Sequence, residues 1–478
     1  MHVRVMSFLM AKAVNIKTRV LPILDFLRRL GRFAAEHEQV LFWVFALLYR
    51  ISLDLMYCFV AYPLGGYMIR PFFTSAFRYI VSFVLYLILY ATMPKRENDG
   101  IVFVVQLQFV YMVAPILTLY AFSDMSSKYL LMVSACILLE NLLIFRPLRT
   151  MEPVRIRGVQ NYVTVLLGVL VLFAAVIPIL YNGFAGLKAF NFSYIYEMRA
   201  NASYPLGFGY LLNWTTKAII PFGFLCFLHM KKYRWAILLA TVQIFFYMLT
   251  GQKITLFIIA PMVFIYFCAK TGHCLKLMYL GLGAAYLFVI LACRLDRLAP
   301  IDPSSTSMTG RVGILAASII AVRALFIPAG IKSYFYDFFS SNPKLFFSDG
   351  QIGRMLGLTY PYKKESGFVI NAFSMGTEKF GSANANTGYL GESYAQMGFA
   401  GMLLMSMLLA LILRSLRAYD RKETAPLLTA LISIYIIILN DGALFTTLFT
   451  SGLLVTYILI FIYFDKVTEG NGHGIQRL

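Results

Sequence analysis

The residues best suited to chemistry gather between Cys293 and Leu413. Arg294, Arg297, Arg311, Arg323 and Lys332 crowd the first part of this stretch, while Arg199 and Lys253 occupy polar turns before it. A charge at membrane depth costs about 2.5–3.5 kcal/mol, so it needs a partner or a task. Arginine's planar fork suits phosphate oxygens. Arg199, Lys253, Arg294, Arg311 and Arg323 are therefore the candidate site for a phosphate or pyrophosphate, with Arg323 foremost because it interrupts the apolar run IIAVRALFIPAG. The acids on the same side are Asp337, Asp349, Glu365, Glu378, Glu392 and Asp441. Glu392, in YLGESYAQMGF, leads into an apolar helix, where a partly desolvated carboxylate suits a general base. Asp441 is the second candidate. Tyr334, Asn386, Tyr389 and Tyr394 could stack on and hydrogen-bond sugars. Each assignment has a plainer alternative: arginines that snorkel to the headgroups or pair with Asp296, a Glu392 held in an ion pair, tyrosines of an interface belt.

Elements that position these residues must be built for lipid. Of the 478 residues 60% are hydrophobic and only 13% charged, with mean hydropathy +0.74, whereas a soluble domain carries about a quarter charged residues. Repeated apolar runs near twenty residues predict an all-α polytopic membrane protein of about twelve spans. Their expected cores are Val40–Tyr62, Ala76–Met93, Ile101–Phe122, Tyr129–Phe145, Tyr162–Tyr181, Gly209–His229, Trp235–Leu249, Ile254–Ala269, Leu277–Ala292, Thr387–Leu413, Ala425–Leu439 and Leu444–Phe464. Residues 1–38 read as an amphipathic, arginine-bearing arm on the membrane surface, 39–292 as a first bundle of about nine spans, and 387–464 as the last three spans before a tail, 465–478. Between them lies one large loop, 293–386, too long to be a simple connection and too aromatic to be disordered.

The net charge of +20 is explained by the membrane, without nucleic acid. Lys95/Arg96, Arg146 to Arg157, Lys231 to Arg234, Lys270/Lys276 and Arg414 to Lys422 fall on every second connection, which predicts cytoplasmic basic loops and both termini in the cytoplasm. The alternation works only if Val312–Tyr334 does not cross the membrane, so we expect it to be re-entrant or to lie flat in the outer loop. No short apolar core with a small-residue cleavage site marks a signal peptide to be removed. The six cysteines lie in or beside apolar runs without disulfide or zinc spacing. All five histidines fall on the cytoplasmic side, and the first outer loop, PLGGYMIRPFFTS, has no acid. With no P-loop, Rossmann glycines or HExxH, the expectation is chemistry on the outer face with neither metal nor cofactor.

TGQKITLF at a turn, VRALFIPAGIKSYFY in the large loop and NTGYLGESYAQMGFAGM entering a span together resemble bacterial O-antigen polymerases, the Wzy-type repeat-unit polymerases. The resemblance covers Arg199 to Leu413. It implies a multi-pass protein of the bacterial inner membrane, a periplasmic site, and transfer of a growing glycan from undecaprenyl pyrophosphate onto an incoming lipid-linked repeat unit. Membrane lipids, a chain-length regulator and a flippase of the same surface-polysaccharide pathway are the partners it implies. Lys253 and Arg323 match basic positions of such proteins, although arginine is the more usual residue where Lys253 stands. Two alternatives share parts of this pattern. An O-antigen ligase would hand the glycan to lipid A core and use an outer histidine, which the chain lacks on that side. A lipid-linked oligosaccharide flippase would need half-repeats, and none is visible.

Overall fold

The computed structural model describes residues 37–472 except 66–67, 147–155, 157, 185, 192–193, 196–197, 199–200, 206, 295–314, 316, 351–352, 354, 378 and 381–383. The expected N-terminal arm lies outside the described residues, as do Arg199 and Arg311. The chain divides into Met1–Ile51, which contributes the first turns of one helix, and Ser52–Leu478, which holds everything discussed below.

In hydrocarbon no water can satisfy a backbone amide, so each segment must bond internally, and helix is the result. Among the described residues there is no strand beyond an isolated bridge between Phe72 and Ser123. In chain order the helices are α1 (Glu38–Leu64), α2 (Ala76–Ala91), α3 (Gly100–Phe122), α4 (Ser127–Phe145), α5 (Gln160–Asn182), α6 (Phe208–His229) and α7 (Tyr233–Thr250). They continue with α8 (Lys253–Lys270), α9 (Cys274–Arg294), α10 (Ile319–Ser341), α11 (Ser366–Ser374), α12 (Tyr389–Leu416), α13 (Ala425–Leu439) and α14 (Leu453–Gly472). Ten of the described helices are long and apolar enough to cross a membrane, as expected of a polytopic α-helical membrane protein. Local signals start some of them. Ser75 accepts from Arg78 N–H at 3.3 Å to cap α2, and Asp99 accepts from Val102 N–H at 2.9 Å to cap α3.

The basic connections do meet at one end of the bundle. Glu97 caps α9 by accepting from Leu275 and Lys276 N–H, Arg417 approaches Asp99 at 4.0 Å, and Arg414 donates to the Leu143 carbonyl at the end of α4. At the other, loop end, buried Arg70 donates to Asp124 at 2.7 Å and to Asp337 of α10 at 2.6 Å, tying three connections together.

Two segments of the large loop decide the architecture. Although α10 is long enough to span, it packs on Tyr57–Ala61 and on the Phe109–Phe122 half of α3, and its Asp337 reaches the loop-end clamp. These contacts bring α10 against the loop-end parts of α1 and α3.

The expected single span Thr387–Leu413 is instead two antiparallel arms. Met397 (φ −141, ψ 20) and Gly398 (φ 64, ψ −146) break α12, and a Cβ on Gly401 would strike the Ser393 carbonyl. Tyr389 and Ser406 both lie against Glu140, whereas in a straight helix seventeen residues would separate them by about 25 Å. Residues 389–396 therefore run from the bundle interior up to the loop end, and 399–416 run back. The reversal sits inside α12, where the sequence predicts one continuous span.

At the basic end, burial and the neighbouring Asp99 push the Asp420 carboxyl up to about 7. Its other partner is Ile101 N–H, at 2.9 Å. A folded pKa above the unfolded value of about 4 means that the folded state binds the extra proton in this window, so stability falls as pH rises from about 4 to about 7. Asp420→Asn should flatten this slope in thermal unfolding of the detergent-solubilised protein; an unchanged slope would remove Asp420 as its source.

Candidate functional site

The outward arm of α12 presents Glu392 and Gln396 one turn apart on one face. The Gln396 side-chain amide donates to Glu392 Oε1 at 2.7 Å and to both oxygens of Asp349 at 3.1 and 3.2 Å. One amide thus holds two carboxyl groups together. The amide oxygen of Gln396 accepts from Phe347 N–H at 2.5 Å. The arm's last carbonyls, left open by the reversal, accept from Leu345 N–H (to Ala395, 2.9 Å) and Phe346 N–H (to Gln396, 3.1 Å). Serving them puts Phe346 and Phe347 at φ 47 and 64, a left-handed conformation costly for such bulky residues.

Two cavities meet at this carboxyl pair. One, of about 660 Å³, is polar and lined by Asp349, Tyr360, Lys363, Asn386, Glu392 and Asp441 among others. The second, of about 420 Å³, is largely apolar, with Tyr210, Met405, Leu444, Phe445 and Phe449 around Asp349, Glu392 and Gln396. Asp349, Glu392, Ala443 and Thr446 belong to both.

The floor of the polar cavity is fixed by a buried cation. Lys332 of α10 has no exposed surface; its Nζ donates to the Asn440 carbonyl at 2.6 Å, to Asn440 Oδ1 at 2.8 Å and to the Pro328 carbonyl at 3.2 Å. Asn440 in turn donates to the Ala324 carbonyl at 3.2 Å, so α10 and the end of α13 are locked together. Asp441 follows directly. Burial raises its carboxyl above the ordinary value, and the positive fields of Lys332 and Arg323 pull it back.

The sequence-predicted residues divide accordingly. Glu392, Asp441 and Asn386 share the polar cavity, and Arg323, solvent-exposed on a π-helical turn, acts on Asp441. Lys253 opens α8 and is not among the described residues that line either cavity. Arg294 ends α9, its side chain outside the described residues. Of the two expected phosphate-binding cations whose side chains are described, Arg323 acts on Asp441 of the polar cavity and Lys253 lines neither cavity. Tyr389 is fully buried and donates to Glu140, so it faces the bundle interior and no sugar. Tyr334 lies under the Arg70 guanidinium at 4.5 Å, and Tyr394 stacks on Tyr336 at 4.8 Å beneath Lys344. Neither lines either of these two cavities.

Sequence reasoning missed Gln396, although its spacing of four from Glu392 on a helix was visible. It left Asp349 as one acid among several, because only the fold brings the 345–350 segment to the end of the arm. No protein-family model, curated protein or solved structure matches this chain.

Gly388 opens the outward arm in close backbone contact with its surroundings. A Cβ there would lie 2.6 Å from both the Leu439 carbonyl oxygen and Lys332 Cε. Overpacking of this kind costs about 1–3 kcal/mol, so Gly388→Ala should lower the thermal midpoint in detergent, while Gly281→Ala, with open space around it, should not. Equal midpoints for the two variants would contradict the seating of the arm.

Proposed function

We propose that this protein is a glycosyltransferase of the bacterial inner membrane that polymerises lipid-linked oligosaccharide repeat units at its loop end. The reading is supported above all by the carboxyl pair Glu392–Asp349, held by Gln396 where a polar cavity meets an apolar one. An amphiphilic substrate with a hydroxyl-rich head needs such a junction. The gathering of basic connections at the opposite end supports a cytoplasmic basic end and a periplasmic site.

In the proposed reaction Glu392 accepts the proton of an acceptor sugar hydroxyl. The hydroxyl oxygen forms a bond to the anomeric carbon of the donor, and the carbon–oxygen bond to pyrophosphate breaks. The bonding pair leaves on the lipid pyrophosphate, already a good leaving group. Negative charge developing there needs fixed cations. Lys363 and Lys364 line the polar cavity and take the direct role that sequence analysis assigned to a wider set of arginines, while Lys332 and Arg323 act on the cavity through their fields at Asp441. Asn386 and Tyr360 offer an amide and a ring to the sugars. Asp349 shares Gln396 with Glu392 and holds the base in its rotamer.

Purified protein in vesicles, given undecaprenyl-pyrophosphate-linked repeat units with a chelator present, should yield a ladder of products spaced by one repeat. Glu392→Gln should lower kcat about 10²–10⁴-fold, and Arg323→Ala about 10²–10³-fold. A full ladder from Glu392→Gln would contradict the base assignment. Movement of the native lipid across the membrane without any ladder would point to a transporter.

A further inference from the structure

One buried acid has no part in this chemistry. Glu140 of α4 is 1% exposed, five residues from the basic end of its helix, and no cation touches it among the described side-chain bonds. It is met by neutral side chains, with Ser406 beside it and two donors on its oxygens. Gln108 of α3 donates to Glu140 Oε2 at 2.7 Å, and the Tyr389 hydroxyl donates to Oε1 at 2.5 Å. Gln108 also donates to the Tyr389 hydroxyl at 3.0 Å, which closes a triangle. Gln108 and Tyr389 are 3% and 0% exposed. A carboxyl group buried this deeply is costly unless it is fully bonded, and removing one member leaves the others unsatisfied.

Tyr389 is the first residue of the outward arm, and Glu392 stands three residues on, about 4.5 Å of helical rise away. The far end of the arm is pinned through Ala395 and Gln396 by Leu345 and Phe346. Among the described residues the near end is held by the buried triangle and by close packing at Gly388 and Gly391. We propose that Glu140 is a positioning residue: with Gln108 it seats Tyr389 and so sets where the Glu392 carboxylate meets the acceptor hydroxyl. This rests on Glu392 being the base of the proposed reaction. A carboxylate is specifically suited to the seat because both of its oxygens accept, one from the tyrosine and one from the glutamine. A glutamine at 140 would turn an amide NH₂ toward one of those donors.

Three variants test this. Tyr389→Phe keeps the ring and removes only the hydroxyl. Glu140→Gln removes one acceptor. The double exchange Gln108→Glu with Glu140→Gln returns a carboxylate to the triangle from the neighbouring helix. Two readouts separate the seat from the reaction: polymerisation kinetics, and the rate at which a hydrophobic carbodiimide labels Glu392, mapped by mass spectrometry on folded protein. Because an ångström of misplacement can cost about a hundredfold in rate, Tyr389→Phe and Glu140→Gln should lower kcat by about that factor with KM within about twofold. Both should change the Glu392 labelling rate, and the double exchange should restore both readouts. If no variant polymerises, the parent included, but labelling still follows the pattern, the seat stands and the polymerase reading fails. Wild-type labelling of Glu392 in Tyr389→Phe, or no recovery in the double exchange, would overturn the role of Glu140.

Discussion

Everything at the loop end depends on satisfying a short piece of helix that starts and stops inside the bundle. A span that crosses the whole membrane leaves its open amides and carbonyls at the water on either side, but residues 389–396 start inside the bundle and end beneath the 345–350 segment. The protein answers with side chains and neighbouring backbone. Leu345 and Phe346 close the carbonyls at the top, Gly388 lets the bottom sit against the carbonyls of Leu439 and Asn440, and Glu140 with Gln108 takes up the tyrosine that leads the arm. Glu392, between these supports, lines both cavities. A carboxylate placed on a loop over the membrane would be mobile and hydrated. On a two-turn helix bonded at both ends its position is set by the fold.

The same economy governs the charges. Lys332 is bound by neutral groups of Asn440 and Pro328, so its charge remains to act on Asp441 beside it. Arg70, in contrast, is held between Asp124 and Asp337, a neutralised clamp that joins the α1–α2 and α3–α4 connections to α10. Both cations lie within the same layer of the molecule, yet the first supports a site and the second supports the fold. The difference is whether a carboxylate takes up the charge.

Much of this was legible in the sequence. Length of apolar runs gave most of the helices to within a few residues, although the last, expected over Leu444–Phe464, runs Leu453–Gly472 after a separate turn, and the alternation of basic connections anticipated the set of loops that the fold brings to one end. Glu392 and Asp441 stood out because acids at the edge of apolar runs are expensive, and the structure places both on one cavity. What failed was continuity. The run from Thr387 to Leu413 is apolar and helical throughout, so hydropathy reads one span; only Gly398, with its positive φ, marks the reversal, and a glycine inside an apolar run is too common to read that way. Cations were over-gathered for a related reason: Lys253 and Arg323 are both isolated charges in apolar surroundings, but which side of the bundle each faces is decided by packing. Tyr389 looked like a sugar platform for want of any sign that Glu140, about 250 residues earlier, awaited it.

The central claim is that the chain dips into the membrane before Glu392 and returns to the same side. It is tested most directly by accessibility. In a background without the six native cysteines, single cysteines at Lys363, Asn386 and Thr271 would be labelled by a membrane-impermeant maleimide from either side of sealed vesicles. Asn386→Cys should react from the same side as Lys363→Cys and opposite to Thr271→Cys, because the polar cavity opens at the loop end. Reaction of Asn386→Cys from the side of Thr271 would mean that the arm crosses the membrane, and the site built on it would have to be abandoned.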